Sequence, residues 1–333
     1  MSDFKLKLKL IYLPYLLISI GFISLYTFFH WLLIIKLKLI SPDENLVNLW
    51  LPIAMPWMPL LMWLRPRTKL LIIKNTNRSD WPTFYIFIAA IFIIGATLVA
   101  QSWMVTATGK LTTLDDITHV KDQPLTKYYK LKHYFIDKKH SLFSRRAETS
   151  GRYNQHLKFY LYVVCPVLVA ADTATTKLKD SADRPVAVNG AADTSVKAKV
   201  NLAPVAWLGV RYALQISSHL SDAERQNQFE HFFEEKDKGL DTASLQNFVY
   251  LDRIGNNENR TGYLKAIKTF AGAKNNNPII FEPVTQPFEA RNGKKAQLTL
   301  GLAIAGAIIW LVMISIPGLK RLDAEQLLVV NEG

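Results

Sequence analysis

The chain has 333 residues, 50% of them hydrophobic, with 40 Lys+Arg against 27 Asp+Glu and a formal charge of +13. The hydrophobic residues gather in four blocks, a pattern that excludes an ordinary soluble globular protein. The single cysteine, Cys165, excludes an internal disulfide framework, and the positive charge gathers beside apolar blocks, which excludes nucleic acid as its natural partner.

Met1 to Lys9 is short and basic, with Lys5, Lys7 and Lys9 just ahead of the first apolar run, Ile11 to Ile35. Crossing a hydrocarbon core of about 30 Å takes roughly 20 helical residues, so this run is long enough to span. A cleaved signal peptide fits less well, because bulky Phe, Trp and Leu occupy the place of a small-residue cleavage site. Tyr12, Tyr15 and Trp31 sit where interfacial anchors are expected. The second run, Leu49 to Leu64, contains Pro52, Pro56 and Pro59. Interior prolines remove hydrogen bonds and kink a helix, so the run reads as a short bent span, with a re-entrant hairpin as the alternative. Arg65, Arg67, Lys69, Lys74 and Arg78 then form a strong cytoplasmic signal. A third span follows from Pro82 to about Met104. The last span, Leu298 to Ile316, carries Gly301, Ala303, Ala305, Gly306 and Ala307. Small residues let another helix approach closely; the alternative is that they are merely tolerated.

The three positive clusters, including Lys320-Arg321, agree with one orientation. Both termini are cytoplasmic in it, and residues 105–297 lie outside the cytoplasm of a multi-pass cell-membrane protein. That inserted segment counts 28 Lys+Arg against 20 Asp+Glu between Val105 and Gln297, a mildly basic surface. Three regions result: a membrane region over 1–104, an extracytoplasmic domain over 105–297, and a final span with a short tail over 298–333.

The inserted domain reads as α+β. Tyr129, Leu131, His133 and Phe135 alternate with Lys130, Lys132 and Tyr134, as in a strand buried on one face. Leu157, Phe159, Leu161 and Val163 repeat the pattern before Pro166. Between them lie Asp137-Lys-Lys-His140 and a basic loop containing Arg145, Arg146 and Arg152. Residues 171–200 are poor in core-forming side chains and predict a flexible excursion. Trp207 to Tyr212 restarts strand-like sequence. Ser221 and Glu224 have the spacing of a capping box opening a helix through about Glu235, with Phe229, Phe232 and Phe233 inward. Phe248 to Leu251 and Ile279 to Phe281 read as strands, with Tyr263 to Phe270 helical between them.

Candidate chemistry is sparse. His231, Glu234 and Glu235 have a spacing that places metal ligands on one helix face, and equally that of a solvated acidic face. Asp115, Asp116 and His119 form a second acidic and imidazole group that carboxylates at a helix start also explain. Asp137 and His140 pair a carboxylate with an imidazole and offer no nucleophile beside them. Gly255-Asn-Asn is turn chemistry rather than a phosphate loop. Cys165, in an apolar run, reads as a buried structural thiol. Within the spans, His30 lies near an end beside Trp31, where an interfacial position is expected. No residue is assigned as catalytic, cofactor-binding or metal-ligating, and no cofactor is expected.

Several short pieces share a further likeness. Leu49-Trp-Leu-Pro52 with Leu64-Arg-Pro-Arg67, Thr106-Ala-Thr-Gly-Lys110, Asp137-Lys-Lys-His140, Trp207-Leu-Gly-Val-Arg-Tyr212, Tyr250-Leu-Asp-Arg-Ile-Gly255 and Pro287-Phe-Glu-Ala-Arg-Asn-Gly293 come in this order. The order resembles the N-terminal membrane and extracytoplasmic region of bacterial rhomboid-family intramembrane serine protease proteins. That resemblance implies association with intramembrane proteolysis. The family's serine lies in a Gly-x-Ser-Gly motif, which no position here matches, so the rhomboid catalytic unit is absent from this chain. The expected function is a non-catalytic membrane module whose domain binds protein or membrane-surface partners. Those partners are membrane lipids and a rhomboid-type protease unit or its substrates. A membrane-anchored sensor or receptor is the alternative, and a membrane-bound hydrolase using the Asp/His groups is a third reading.

Overall fold

Four helices are long and apolar enough to cross a membrane in the computed structural model: Asp3–Lys36, Leu46–Thr68, Trp81–Thr108 and Phe288–Ser315. The structure describes residues 3–37, 43–72, 81–152, 155–169, 204–242, 245, 247–270, 277–324 and 326. The excursion expected over 171–200, and Lys74 and Arg78 of the basic link, lie outside the described residues. Two compact units result. One is Met1–Thr108 with Glu289–Gly333, and the other is Gly109–Phe288.

In the helical unit, the second span settles a choice the sequence left open. Its prolines break the helix at Met55-Pro56, yet Met55 (φ −65°, ψ −35°) and Pro56 (φ −61°, ψ −26°) keep helical dihedrals. The segment therefore continues as one bent helix and does not reverse as a re-entrant hairpin must. Span three packs against all three others. Its Ile86, Ala89, Ala90 and Ile93 meet Leu10, Ile11 and Tyr15 of span one, Leu60 and Leu64 of span two, and Trp310 and Ile314 of span four. Tyr15 stacks on Trp310 with ring centroids 4.9 Å apart, and Tyr85 meets Trp310 edge-on at 5.9 Å.

The small residues of span four divide by this packing. A Cβ on Gly306 would lie 2.7 Å from Phe92 Cβ and 2.8 Å from Tyr15 Oη, whereas one on Gly301 would meet nothing within 4 Å. Gly306 is thus required by close helix approach, and Gly301 is not. One end of the unit is closed by a two-residue ribbon, Leu71–Ile72 (β1) pairing antiparallel with Gly318–Leu319 (β10). There Lys7 Nζ donates to the carbonyls of Ser315 (3.3 Å) and Pro317 (2.5 Å), which places a cation at the carboxyl end of span four. Arg321 Nε donates to Asp3 at 2.6 Å. Elsewhere in the unit, Arg291 Nε donates to the Thr106 carbonyl at 2.9 Å, joining the end of span three to the start of span four.

The described residues of the second unit form an eight-stranded mixed sheet and two α-helices. Its strands are β2 (Leu111–Asp116), β3 (Tyr128–His133), β4 (Phe135–Ile136), β5 (Leu142–Ser150), β6 (His156–Leu168), β7 (Ala206–Ser217), β8 (Tyr250–Arg253) and β9 (Ile279–Val284). The order is β2-β3-β8-β9-β7-β6-β4, with β5 also on β6. β2/β3 and β7/β9 are parallel and the other pairs antiparallel. β7 occupies one edge of β6, so β5 and β4 follow one another along its other edge.

β6 is the spine. From Leu161 to Val167 both of its faces are buried, which explains the unbroken apolar run there. Leu161, Val163, Cys165 and Val167 join Leu131, Leu208, Leu251, Phe281 and Phe232 of the Asp222–Thr242 helix. Tyr162 and Val164 face Trp207, Ile280 and Tyr263 with Ala266 of the Glu258–Ile267 helix. Gly262 makes the second packing possible, since a Cβ there would lie 2.6 Å from the Tyr162 ring.

β6 continues through Pro166, which sits opposite Trp207 in register. Three expectations change. β3 buries Tyr128, Tyr129 and Leu131 but leaves His133 exposed, and the chain breaks at Tyr134, so Phe135 is exposed on a separate short strand. Arg145 and Arg146 belong to strand β5 rather than a loop. Asp115 and Asp116 close strand β2, with Asp116 capping a 3-10 turn over Ile117–Val120 instead of starting an α-helix.

Gly306→Val is expected to destabilise the full chain in detergent by about 1–3 kcal/mol, the usual cost of overpacking, with Gly301→Val close to neutral. Thermal unfolding of both variants tests the packing; equal effects contradict it.

Candidate functional site

The residues marked by the sequence as chemistry fold into local pairs. On the long helix, His231 is exposed, Glu235 pairs with Lys236 at 2.6 Å and Glu234 with Lys238 at 3.5 Å. This is a solvated charged face. Asp115 meets Lys132 at 2.8 Å, and that hydrogen-bonded cation holds its carboxyl below the usual range. Buried Asp116 accepts from the Thr118 amide at 2.8 Å and from the Thr118 hydroxyl, while His119 Nδ1 lies 2.9 Å from Asp122. His140 Nδ1 lies 2.6 Å from Asp137. Among the described residues no three His, Cys, Asp or Glu side chains come together to hold a metal ion.

The capping box forms as its spacing requires. The Ser221 amide donates to Glu224 Oε2 at 2.9 Å, and the Glu224 amide donates to Ser221 Oγ at 3.3 Å. The Ser221 hydroxyl and amide together hold the Glu224 carboxyl below its ordinary value. Cys165 is buried, and burial pushes its thiol up to about 12. A thiol so placed is not a nucleophile at neutral pH.

Two arrangements could not be read from the sequence. The first ties the short helix to the sheet. Tyr263 Oη donates to Glu282 Oε1 at 2.8 Å, Asn259 Nδ2 donates to the same oxygen at 3.4 Å, and Arg211 donates to Asn259 Oδ1 at 2.8 Å. Burial, with Glu282 beside it, pushes the Tyr263 phenol up, so it is held as a donor. The second is a shallow groove of about 250 Å³ lined by Arg145, Phe229, Glu230, Phe233 and Glu234. The Arg145 guanidinium lies 4.3 Å over the Phe233 ring and 5.1 Å over Phe229. The guanidinium thus covers rings of which Phe229 is buried and Phe233 half-buried, and Glu230 and Glu234 rim the groove.

The helical unit holds a third group. His30 is 6% exposed, buried within the helical unit. It lies against Asn48, and the charge of Glu44 acts on it. Tyr26 Oη donates to the Val47 carbonyl at 2.9 Å and also faces Gln101, which is 1% exposed. Three spans thus bring polar side chains together. Only His30 drew notice in the sequence, because single Thr, Asn and Gln residues in apolar runs have no motif.

No family model matches the chain, and no curated protein or solved structure does either.

At pH 8, iodoacetamide is expected to leave Cys165 unmodified in the folded chain and to alkylate it once denaturant unfolds the protein. The raised thiol also fixes a sign. The folded state keeps a proton that the unfolded chain releases above about pH 8.5, so the thiol's contribution to stability is full below that pH and is lost as pH climbs toward 12. Rapid alkylation of the folded protein at pH 8 contradicts the burial.

Proposed function

We propose that the chain is a membrane module without catalytic machinery of its own, presenting the Gly109–Phe288 domain outside the cytoplasm to bind a protein or the membrane surface. One observation carries the reading: the helical unit is apolar on its outside as well as in its core. Leu17, Ile20, Met58, Met62, Leu300 and Ile308 face outward at 57–75% exposure, while Thr27, His30, Thr97 and Gln101 are buried. Apolar faces of that size on four helices of spanning length are suited to lipid and costly in water.

Charge supports the orientation. Lys5, Lys7 and Lys9, then Arg65, Arg67 and Lys69, then Lys320 and Arg321 flank successive spans in the alternation of the positive-inside rule. The bonds from Lys7 to the Pro317 carbonyl and from Arg321 to Asp3 are consistent with the first and last clusters sharing one side. Both termini are then cytoplasmic and the domain is not.

The likeness to rhomboid-family proteins supports a rhomboid-type protease unit, or its substrates, as the partner. The domain's part is to present or gate what the protease receives. The Arg145 groove supplies a surface of the right character, because paired rings and a cation recognise peptide side chains without enclosing them.

A reporter fused after Lys69 is expected to be active only in its cytoplasmic form, and one fused after Lys110 only in its exported form. The reverse pattern overturns the orientation. For the partner, affinity capture of the full chain in detergent is expected to recover a rhomboid-type protein or its substrates, with recovery reduced by Arg145→Glu. Recovery of neither, from cells that make a rhomboid-type protease, rejects the proteolytic association.

A further inference from the structure

Among the buried side-chain atoms of the helical unit that make no close hydrogen bond, five come from spans one, two and three: Thr27 Oγ1, His30 Nδ1, Asn48 Oδ1, and Gln101 Oε1 and Nε2. They belong to one neighbourhood. Thr27 and His30 are three residues apart and share a face of span one. Asn48 lies against His30, and Tyr26 links the two remaining spans by facing Gln101 and bonding the carbonyl next to Asn48. Even where His30 pairs with Asn48 and Tyr26 with Gln101, Thr27 Oγ1 and one Gln101 amide atom are left over, and each buried group left unbonded costs about 1–3 kcal/mol. Lipid supplies no donors or acceptors to relieve them. Ordered water does, with 2–4 hydrogen bonds per molecule to otherwise unsatisfied groups.

We propose that spans one, two and three hold a hydrated polar site, with water as the resident ligand of Thr27, His30, Asn48 and Gln101. All four residues lie toward one end of their spans. Asn48 is two residues from the start of span two, His30 and Thr27 are six and nine from the end of span one, and Gln101 is seven from the end of span three. At 1.5 Å per residue the site therefore runs from about 3 Å to about 14 Å inward along the helices. The neutral donors and acceptors of Thr, Asn, Gln and imidazole suit water, which both donates and accepts. His30, the one histidine among the described residues of this unit, is then an imidazole reached by water within an otherwise apolar bundle. The site does not depend on what the domain binds.

Hydroxyl-radical footprinting of the full chain in detergent tests it, because radicals generated from bound water oxidise the side chains it touches even where bulk solvent is excluded. His30 is expected to be modified about tenfold faster than Tyr15, a comparably buried ring in the apolar core. Gln101→Leu, or Thr27→Val where that variant does not fold, is expected to slow His30 modification and leave that of exposed His231 unchanged. Protection of His30 equal to that of Tyr15 overturns the site, as does a His30 rate that neither substitution alters.

Discussion

Tyr128 is the residue on which the insertion of the domain depends. A domain placed between two helices of a membrane bundle must begin and end at neighbouring points, or its own folding would pull those helices apart. Within the domain, Tyr128 meets both ends. Its amide donates to the Lys110 carbonyl at 3.1 Å, and Leu111 is its register partner on β2. Its ring meets Phe288 at 5.4 Å, and Tyr250 closes the triangle at 5.4 Å from Tyr128 and 5.3 Å from Phe288. Edge-to-face aromatic packing of this kind contributes about 0.5–1.5 kcal/mol per pair beyond the area it buries. In the helical unit the bond from Arg291 to the Thr106 carbonyl makes the corresponding closure. The loop-closure entropy of a long insertion grows only slowly with its length, so two such fastenings suffice to keep the ends together.

The two units solve burial in opposite senses. In the domain, β6 puts apolar side chains on both faces, and two helices cover the result. Tyr263 and Gly262 show how closely: the ring of Tyr263 occupies the space a Cβ on Gly209 would take, at 2.8 Å, and Gly262 leaves room for Tyr162. In the helical unit the outward surface is apolar and the interior is partly polar. A hydropathy profile sees both as runs of Leu, Ile, Val and Phe, and only length separates a 13-residue strand from a spanning helix.

What could be read from the sequence follows from this. Spans were legible because length and absence of charge suffice to mark them. The capping box, the inward phenylalanines and the β7 and β9 runs were legible because each is a local pattern with a local cause. β5 was not, because an edge strand needs few apolar residues. Only Leu142, Phe143 and Ala147 of its nine are apolar, and its arginines read as loop. β2 was hidden for a related reason, since Thr112, Thr113, Asp115 and Asp116 satisfy strand geometry without alternation of hydrophobicity. The grouping of His30, Asn48 and Gln101 lies beyond any reading of sequence alone. It arises from helix packing between residues up to 71 positions apart in sequence.

The distribution of polar partners separates the two units more sharply than composition does. In the domain, the groups with the greatest chemical potential close on a neighbour: Asp116 on Thr118, His140 on Asp137, Tyr263 on Glu282. A carboxylate or imidazole held in such a short-range bond stabilises a turn or a helix end. The Arg145 stack over Phe229 and Phe233 is a further local closure of this kind, a cation held on aromatic rings. In the helical unit the balance differs, since Gln101 is almost fully buried and faces Tyr26 without a close hydrogen bond from either amide atom. Polar side chains buried between long apolar helices are more costly than in the domain, which is why their grouping there stands out from the packing around it.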